Sequence, residues 1–381
     1  MTRFRQIFIT AMIFLLLFSA IAYGDTWTAN KNLTNNAGSS RYPSMAVDGS
    51  NVYVVWFDNT SGNYEIYFKK SDDGGTTWTN NKRLTNTTGS SEDAVMAVDG
   101  SNIYVVWEDD TPGNYTIYFK KSDDGGATWT NNKRLTWNAS DSYVADIAVD
   151  GSNIYVIWGD DTSGNWEVYF KKSDDGGATW TKSKRLTWNA GNSYAQSMAV
   201  DGLNVYVLWE DDTPGNPEIY FKKSNDGGAT WTKSKRLTNN AGNSFAPSIA
   251  VDGSNVYVVW ANFMPSLVNY EIYFKQSDDG GATWTTNKEI TTNSGSSRDP
   301  AIAVDGSNIY VVWDDDTPGN WEIYFKKSDD VGTTWTTKKL TNNAGRSSFP
   351  SIAVDGPNIY VAWEDDTPGN PEIYFKKGIL F

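Results

Sequence analysis

The chain contains neither histidine nor cysteine, which narrows the chemistry open to it. A Ser-His-Asp triad, an imidazole-ligated zinc, a thiolate metal site, a thiol nucleophile, disulfides and lipid attachment on Cys are all excluded. Catalysis would have to use Asp, Glu, Tyr, Arg, Lys, Ser or Thr, and no metal or other cofactor is expected. Two residue types stand out by position. Arg41, Arg298 and Arg346 lie in loops between runs of β-forming residues. Guanidiniums that cluster bind a carboxylate bidentately, whereas apart they are only solvated side chains. Of the 18 tryptophans, fourteen fall at two recurring strand positions, leaving Trp137, Trp166, Trp188 and Trp321 in or beside loops. An exposed indole there either stacks on a sugar ring or packs over a sheet edge.

A repeat positions these residues. The turn Ser-x-Asp-x-Gly-x-Thr-Trp begins at Ser71 and returns at Ser122, Ser173, Ser224, Ser277 and Ser328, 51 or 53 residues apart. A fixed period of this size signals a propeller or a solenoid. Each unit holds four short runs rich in β-branched and aromatic residues, separated by Gly, Asn, Asp or Pro. In the first unit they cover 44–47 (strand a), 52–56 (b), 65–70 (c) and 77–84 (d). The Asp-Gly pair that ends strand a occurs seven times, from Asp48 to Asp355, and the Thr-Trp of strand d also seven times, from Trp27 to Trp335. The two series are out of phase. An orphan strand d stands at 26–28 and an orphan strand c at 373–377. Pairing them closes a ring with no open sheet edge, whereas a linear solenoid would leave two edges and want capping units. The predicted fold is therefore all-β, a seven-bladed β-propeller of four-stranded blades, its ring closed by the N-terminal strand in the C-terminal blade. A WD-type repeat is excluded by the missing histidine.

Residues 1–24 read as a signal peptide. Arg3 and Arg5 precede an apolar run over 7–22, and Ala22-Tyr23-Gly24 offers small residues for cleavage. The run is short for a membrane span, so residues 25–381 are expected to form a single secreted or cell-surface domain, monomeric and without a span. The formal net charge of −14 disfavours a nucleic-acid partner, whose binding rests on neutralising phosphates.

The recurring turn resembles the Asp-box or BNR repeat of sialidases, and the resemblance runs through every unit. In the copy at 122–129, Ser122 and Asp124 can accept main-chain N–H bonds across the c–d hairpin, and the glycines supply positive φ. Trp129 is expected to pack on its own blade, and the turn lacks the ligand count of a calcium loop. The resemblance implies a sialidase-like propeller with a glycan-facing role, and box turns lying away from the working face. The same repeat also occurs in non-catalytic lectins, sortilin-like receptors and other glycosidases. The d–a and b–c loops share the opposite face, where all the candidates fall. Arg41-Tyr42-Pro43 resembles the Arg-x-Pro with which sialidases begin, whose Arg is the first of three that clamp a substrate carboxylate. Arg298-Asp299-Pro300 repeats it, and Arg346 lies in the next d–a loop, so the three belong to neighbouring blades once the ring closes.

The b–c loop, at 108–114 in blade 2, recurs in close variants, and its Pro-Gly reads as a type II turn. In sialidases the general-acid Asp sits in this loop of the first blade, so the resemblance implies Asp58 as the nearest catalytic candidate. The competing role is a turn-making Asp, since the residue recurs in nearly every blade. No Tyr and Glu pair stands apart as nucleophile and helper, and sialidases of this fold have six blades. The leading expectation is a non-catalytic propeller that binds glycans or acidic sugars; an exo-acting glycosidase of sialidase type is the alternative, and a structural or adhesion module the third. Near-identical repeats suit several equivalent weak sites of a binding propeller, whereas an enzyme would need one blade-asymmetric site. Blade 5 departs from the pattern with an apolar insertion over 262–268.

Overall fold

The computed structural model describes residues 25–380 apart from Asn138, Ser266 and Leu267; the leader predicted over 1–24 lies outside the described residues. Blade 1 consists of strands a (Ser40–Asp48), b (Asn51–Asp58), c (Glu65–Ser71) and d (Lys82–Arg83), hydrogen-bonded in that order, and the next five blades repeat it. No helix occurs among the described residues. Each strand a lies against strand a of both neighbours, and that of blade 7 (Ser347–Asp355) lies against that of blade 1, so the ring closes. The seam is the predicted one. Strand c of blade 7 (Glu372–Ile379) pairs with Thr26–Trp27 and Lys31–Asn32, in the register Trp27↔Gly378 and Lys31↔Phe375.

The apolar core is divided into layers between adjacent blades. Val52, Val54 and Trp56 face blade 7, with Tyr360 and Phe375, while Tyr53, Val55 and Phe57 face blade 2, with Ile103 and Val105. Strand b is thus covered on both faces, which is why it reads as an unbroken apolar run. Strand d is shorter than the expected 77–84, because threonine hydroxyls replace carbonyls on both sides of it. Lys70 N–H donates to Thr79 Oγ1 at 3.1 Å and Ile66 N–H to Thr85 Oγ1 at 2.8 Å.

The recurring turn closes as expected: Gly126 N–H donates to Ser122 Oγ at 2.8 Å and Thr128 N–H to Asp124 Oδ1 at 2.8 Å. The Thr128 hydroxyl and N–H, bonded to its ionised form, hold the Asp124 carboxyl at about 2. The tryptophan goes elsewhere than expected. Trp129 packs on the preceding blade, edge to face with Phe68 at 5.1 Å, and Trp78 packs likewise across the ring seam on Phe375 at 5.0 Å. Gly126, at φ 86°, makes the room, since a Cβ there would stand 2.5 Å from the Phe68 ring. The turn therefore joins blades, and each edge-to-face pair adds about 1 kcal/mol beyond its buried area.

The b–c turn also differs from expectation. Gly113 N–H donates to Asp110 O at 2.8 Å, which centres the turn on Thr111 and Pro112. Gly113, at φ 100°, follows the centre, whereas a type II turn would need the positive φ within it. The blade 5 insertion lengthens the b–c hairpin, so that Phe263 pairs with Tyr270 and Met264 with Asn269.

Candidate functional site

Every strand a loses register near its start: between Arg41 and Ser44 in blade 1, between Glu92 and Val95 in blade 2, and between Val144 and Asp146 in blade 3, with counterparts in the other four. In five blades the bulge puts a non-glycine residue in the left-handed region: Tyr42, Asp93, Ala246, Asp299 and Phe349, at φ between 46° and 53°. Such a conformation costs about 1 kcal/mol or more per residue and concentrates at functional sites; bulges re-aim side chains. These bulges line a central cavity of about 620 Å³, whose walls include Tyr42, Asp93, Asp146, Gln196, Asp299 and Phe349. Gly159 and Trp166 of the blade 3 b–c segment complete it, so it lies at the end of the ring opposite the box turns.

The repeat breaks at this lining. All seven copies of strand a run into Ala-Val-Asp-Gly, yet the four residues after their first Ser are Arg-Tyr-Pro-Ser, Glu-Asp-Ala-Val, Tyr-Val-Ala-Asp, Tyr-Ala-Gln-Ser, Phe-Ala-Pro-Ser, Arg-Asp-Pro-Ala and Ser-Phe-Pro-Ser. The residue after the strand b tryptophan varies in the same way: Phe57, Glu108, Gly159, Glu210, Ala261, Asp314 and Glu364. A scaffold of near-identical blades thus presents one cavity to which no two blades contribute the same set of side chains, although blades 1, 5 and 7 share a Pro-Ser pair.

Two files of aromatic groups reach the cavity, one through Tyr143, Trp166 and Tyr194 and the other through Phe349 and Tyr42. Across blades 2 to 4, Tyr115 meets Tyr143 at 5.3 Å, Tyr143 stacks on Trp166 at 4.9 Å, and Trp166 meets Tyr194 at 6.3 Å. Gly159 lets the indole lie on strand b, with its Cβ position 3.4 Å from Trp166. Across blades 5 to 7 and 1, guanidiniums alternate with rings. Arg298 lies 4.5 Å from the Tyr270 ring and 4.9 Å from that of Trp321; Arg346 lies 5.3 Å from Trp321 and 5.6 Å from Phe349. Phe349 then stacks on Tyr42 at 4.3 Å.

The sequence candidates therefore separate into groups. Trp166 reaches the cavity. Trp321, Arg298 and Arg346 come together, the two guanidiniums sharing one indole. Arg41 instead pairs with Glu364 Oε1 at 3.4 Å, and Arg346 Nη2 stands 3.9 Å from Asp314 Oδ2. Trp137 and Trp188 stand apart on the outer rim. Asp58 is sealed inside blade 1, accepting from Ser40 Oγ at 2.6 Å, Asn36 Nδ2 at 2.6 Å and Thr60 N–H at 2.7 Å. The same Ser-to-Asp bond recurs at Ser91–Asp109 and Ser297–Asp315, which is the turn-making role.

Sequence reasoning passed over the carboxyl groups that face or support the cavity. Burial, with Glu92 adding to it, lifts Asp93 to about 6, and burial alone lifts Asp146 to about 7. Glu108 is pushed up to about 9 by burial and then by Asp93, and Glu210 to about 7 by burial. Glu108 and Glu210 each hold the bulge of the following blade, accepting Val144 N–H at 3.2 Å and Ala246 N–H at 2.6 Å. Tyr42 sits among Asp93, Glu364 and Asp299; burial first and these carboxylates next raise its phenol pKa, with Arg41 alone opposing. Neutral carboxyls and phenols between aromatic faces supply hydrogen-bond donors and acceptors for a polyhydroxylated ligand. Among the described residues no cluster of Asp and Glu could hold a metal ion.

No family model matches the chain. A sialidase of Bacteroides fragilis (strain YCH46) is 26% identical over 218 residues, which cover 51% of this chain and 39% of that protein. The chain thus spans well under half the length of this relative. Among solved structures, an ulvan lyase of polysaccharide lyase family PL25, bound to -[GlcA(1-4)Rha3S]-, superposes with a TM-score of 0.66 at 12% identity, covering 90% of this chain and 94% of the lyase. The phage phi92 endosialidase superposes with a TM-score of 0.56 at 12% identity, over 93% of this chain and 69% of that one. The Trypanosoma rangeli sialidase gives 0.52 at 13% identity, over 94% and 60%. In fold the chain is a sialidase-like β-propeller.

Proposed function

We propose that the chain is a non-catalytic carbohydrate-binding propeller and that the central cavity holds the saccharide. The blade-asymmetric lining supports a single central saccharide site in place of the several equivalent sites expected from near-identical repeats, because seven copies of one scaffold have diverged where one ligand would touch them. The file Tyr143–Trp166–Tyr194 gives sugar faces a stacking surface, and the exposed Arg298 and Arg346 would meet an acidic substituent. The relatives and fold neighbours named above, sialidases and a polysaccharide lyase, support a saccharide as the ligand class. Two features weigh against turnover. Arg41 is drawn onto Glu364 of the protein itself, so the three arginines do not converge into one carboxylate clamp, and Asp58, the general-acid candidate, is sealed inside blade 1 by Ser40, Asn36 and Thr60.

A glycan-array screen followed by calorimetric titration of the best ligand tests this. Trp166→Ala should weaken binding about tenfold to a hundredfold, by analogy with stacking of bases on aromatic rings, with little change in melting. If no glycan is retained, or if Trp166→Ala binds as the wild type does, the cavity is not a saccharide site. The glycosidase alternative draws on the carboxyls beside the cavity whose proton affinity burial raises, Asp93 and Glu108, as general acids; release of sialic acid from a fluorogenic sialoside would favour it.

A further inference from the structure

Trp137 and Trp188 are the most exposed aromatic side chains among the described residues, at 68% and 67%. They hold the same position on adjacent blades, three residues beyond strand d (Lys133–Arg134 and Lys184–Arg185), where the other five blades carry Asn35, Asn86, Asn239, Thr292 and Asn342. Strand d is outermost in its sheet, so the pair belongs to the rim and neither lines the central cavity. Each indole rests against a buried cation of the next blade, Lys171 Nζ at 5.4 Å and Lys222 Nζ at 5.6 Å from the ring centres. Those ammoniums are fixed in turn by the carbonyls of Leu135 and Leu186. The rings are therefore held in place while facing solvent.

Charge changes together with them. At the junction of blades 1 and 2, Asn86, Lys120 and Asn131 line one groove of about 420 Å³. At the next junction the repeat puts Trp137 for Asn86, Lys171 for Lys120 and Lys182 for Asn131; at the one after, Trp188, Lys222 and Lys233. No other blade has lysine at the position of Lys182 and Lys233; both are exposed, and neither forms a salt bridge among the described residues. Blade 2 also loses an anion. Arg83, Arg185 and Arg236 pair with Glu65, Glu167 and Glu218, but Thr116 replaces that glutamate opposite Arg134, whose Nη2 donates to the Thr116 hydroxyl at 3.4 Å and whose Nε donates to the Thr136 carbonyl at 2.6 Å, with no carboxylate partner among the described residues. In a chain of net charge −14, uncompensated cations gather at the two junctions that carry tryptophan.

We propose that these two junctions form a second saccharide site, separate from the central cavity, for an acidic polysaccharide whose sugar faces stack on Trp137 and Trp188 while its carboxylate or sulfate groups meet Lys182, Lys233 and Arg134. Two platforms one blade apart suit a chain better than a single residue, since the second contact becomes intramolecular once the first is made.

Affinity electrophoresis through gels containing polygalacturonate, dextran sulfate or neutral dextran tests the site, and the first two separate carboxylate from sulfate recognition. The wild type should be retarded by at least one polyanion and not by dextran. The double variant Trp137→Asn, Trp188→Asn carries the side chain native to this position in four other blades, so it should melt as the wild type does. It should bind about tenfold or more weakly. Lys182→Asn with Lys233→Asn should weaken binding and flatten its salt dependence, and Asn86→Ala, at the equivalent position of blade 1, should leave retardation unchanged. The proposal is overturned if neither polyanion retards the wild type, if retardation survives the tryptophan pair, if Trp166→Ala alone abolishes it, or if duplex DNA is held as strongly as the polysaccharide.

Discussion

A chain lacking residues 25–34 is expected to melt far below the intact protein and to associate in solution. This segment supplies the outer strand of blade 7, and without it strand c of that blade is left as an open edge, a template for pairing with other chains. Leu33, at 2% exposure, leaves the layer between blades 7 and 1, and Trp27 leaves Phe325, which it meets edge to face at 5.0 Å. Thr34 Oγ1, which donates to the buried Glu372 carboxylate and accepts Ile373 N–H at 3.0 Å, is lost as well. Emptying one buried Leu site and one Trp site costs about 5 kcal/mol or more, a large part of the roughly 5–15 kcal/mol that holds a domain folded. Calorimetry and light scattering on the truncated chain check this; unchanged melting of a monodisperse species would contradict ring closure as the source of stability.

Stability should also rise as the solution is made mildly acidic, the reverse of what salt-bridged carboxylates produce. Asp93, Asp146, Glu210 and Glu108 titrate near 6, 7, 7 and 9 in the folded chain, against about 4 when unfolded. Between pH 4 and pH 7 the folded state therefore binds more protons than the unfolded one, and stability falls as pH rises through that window, with Glu108 extending the fall toward pH 9. A tenfold change in one group's proton affinity on folding is worth about 1.4 kcal/mol, so the four together make a difference on the order of several kcal/mol between pH 5 and pH 8. The box-turn carboxyls act in the opposite sense. Asp124 and its counterparts, held at about 2, favour the fold above the unfolded pKa near 4, and their contribution fades only as pH drops toward 2, outside this window. The melting temperature should be higher at pH 5 than at pH 8, and Asp146→Asn should reduce the difference. A flat or rising profile over that range would show that these carboxyls are better solvated than their burial implies.

The fold was legible because its period is carried by residues with local work to do. Ser122, Asp124 and Gly126 close a turn within eight residues, and the offset between Trp27 and Ile373 follows from counting. Long-range partners were not legible. Whether Trp129 packs on its own blade or on the one before depends on how blades lean together, which spacing does not encode. The length of strand d was hidden because Thr79 and Thr85 hydroxyls imitate main-chain acceptors. At the cavity, attention to what recurs drew the eye to Arg-x-Pro and to Asp58. The better signal was what fails to recur: the four residues after Ser40, Ser91 and their counterparts, and the residue after each strand b tryptophan. Glu108 was absorbed into an acidic turn motif and Tyr42 into an Arg-x-Pro match, though one supports the lining and the other forms it. No count of residues could have shown the left-handed backbone that turns Tyr42 and Asp93 toward the centre.

The central claim is that one saccharide occupies the asymmetric cavity, and the most direct test is a crystal structure of the chain with the oligosaccharide selected on the array. The account predicts sugar density within the ring's central cavity, a pyranose face against Trp166 and Tyr143, and any acidic group toward Arg298 and Arg346. A cavity left empty at saturating ligand, with the sugar bound only at the box-turn face or the rim, would contradict it.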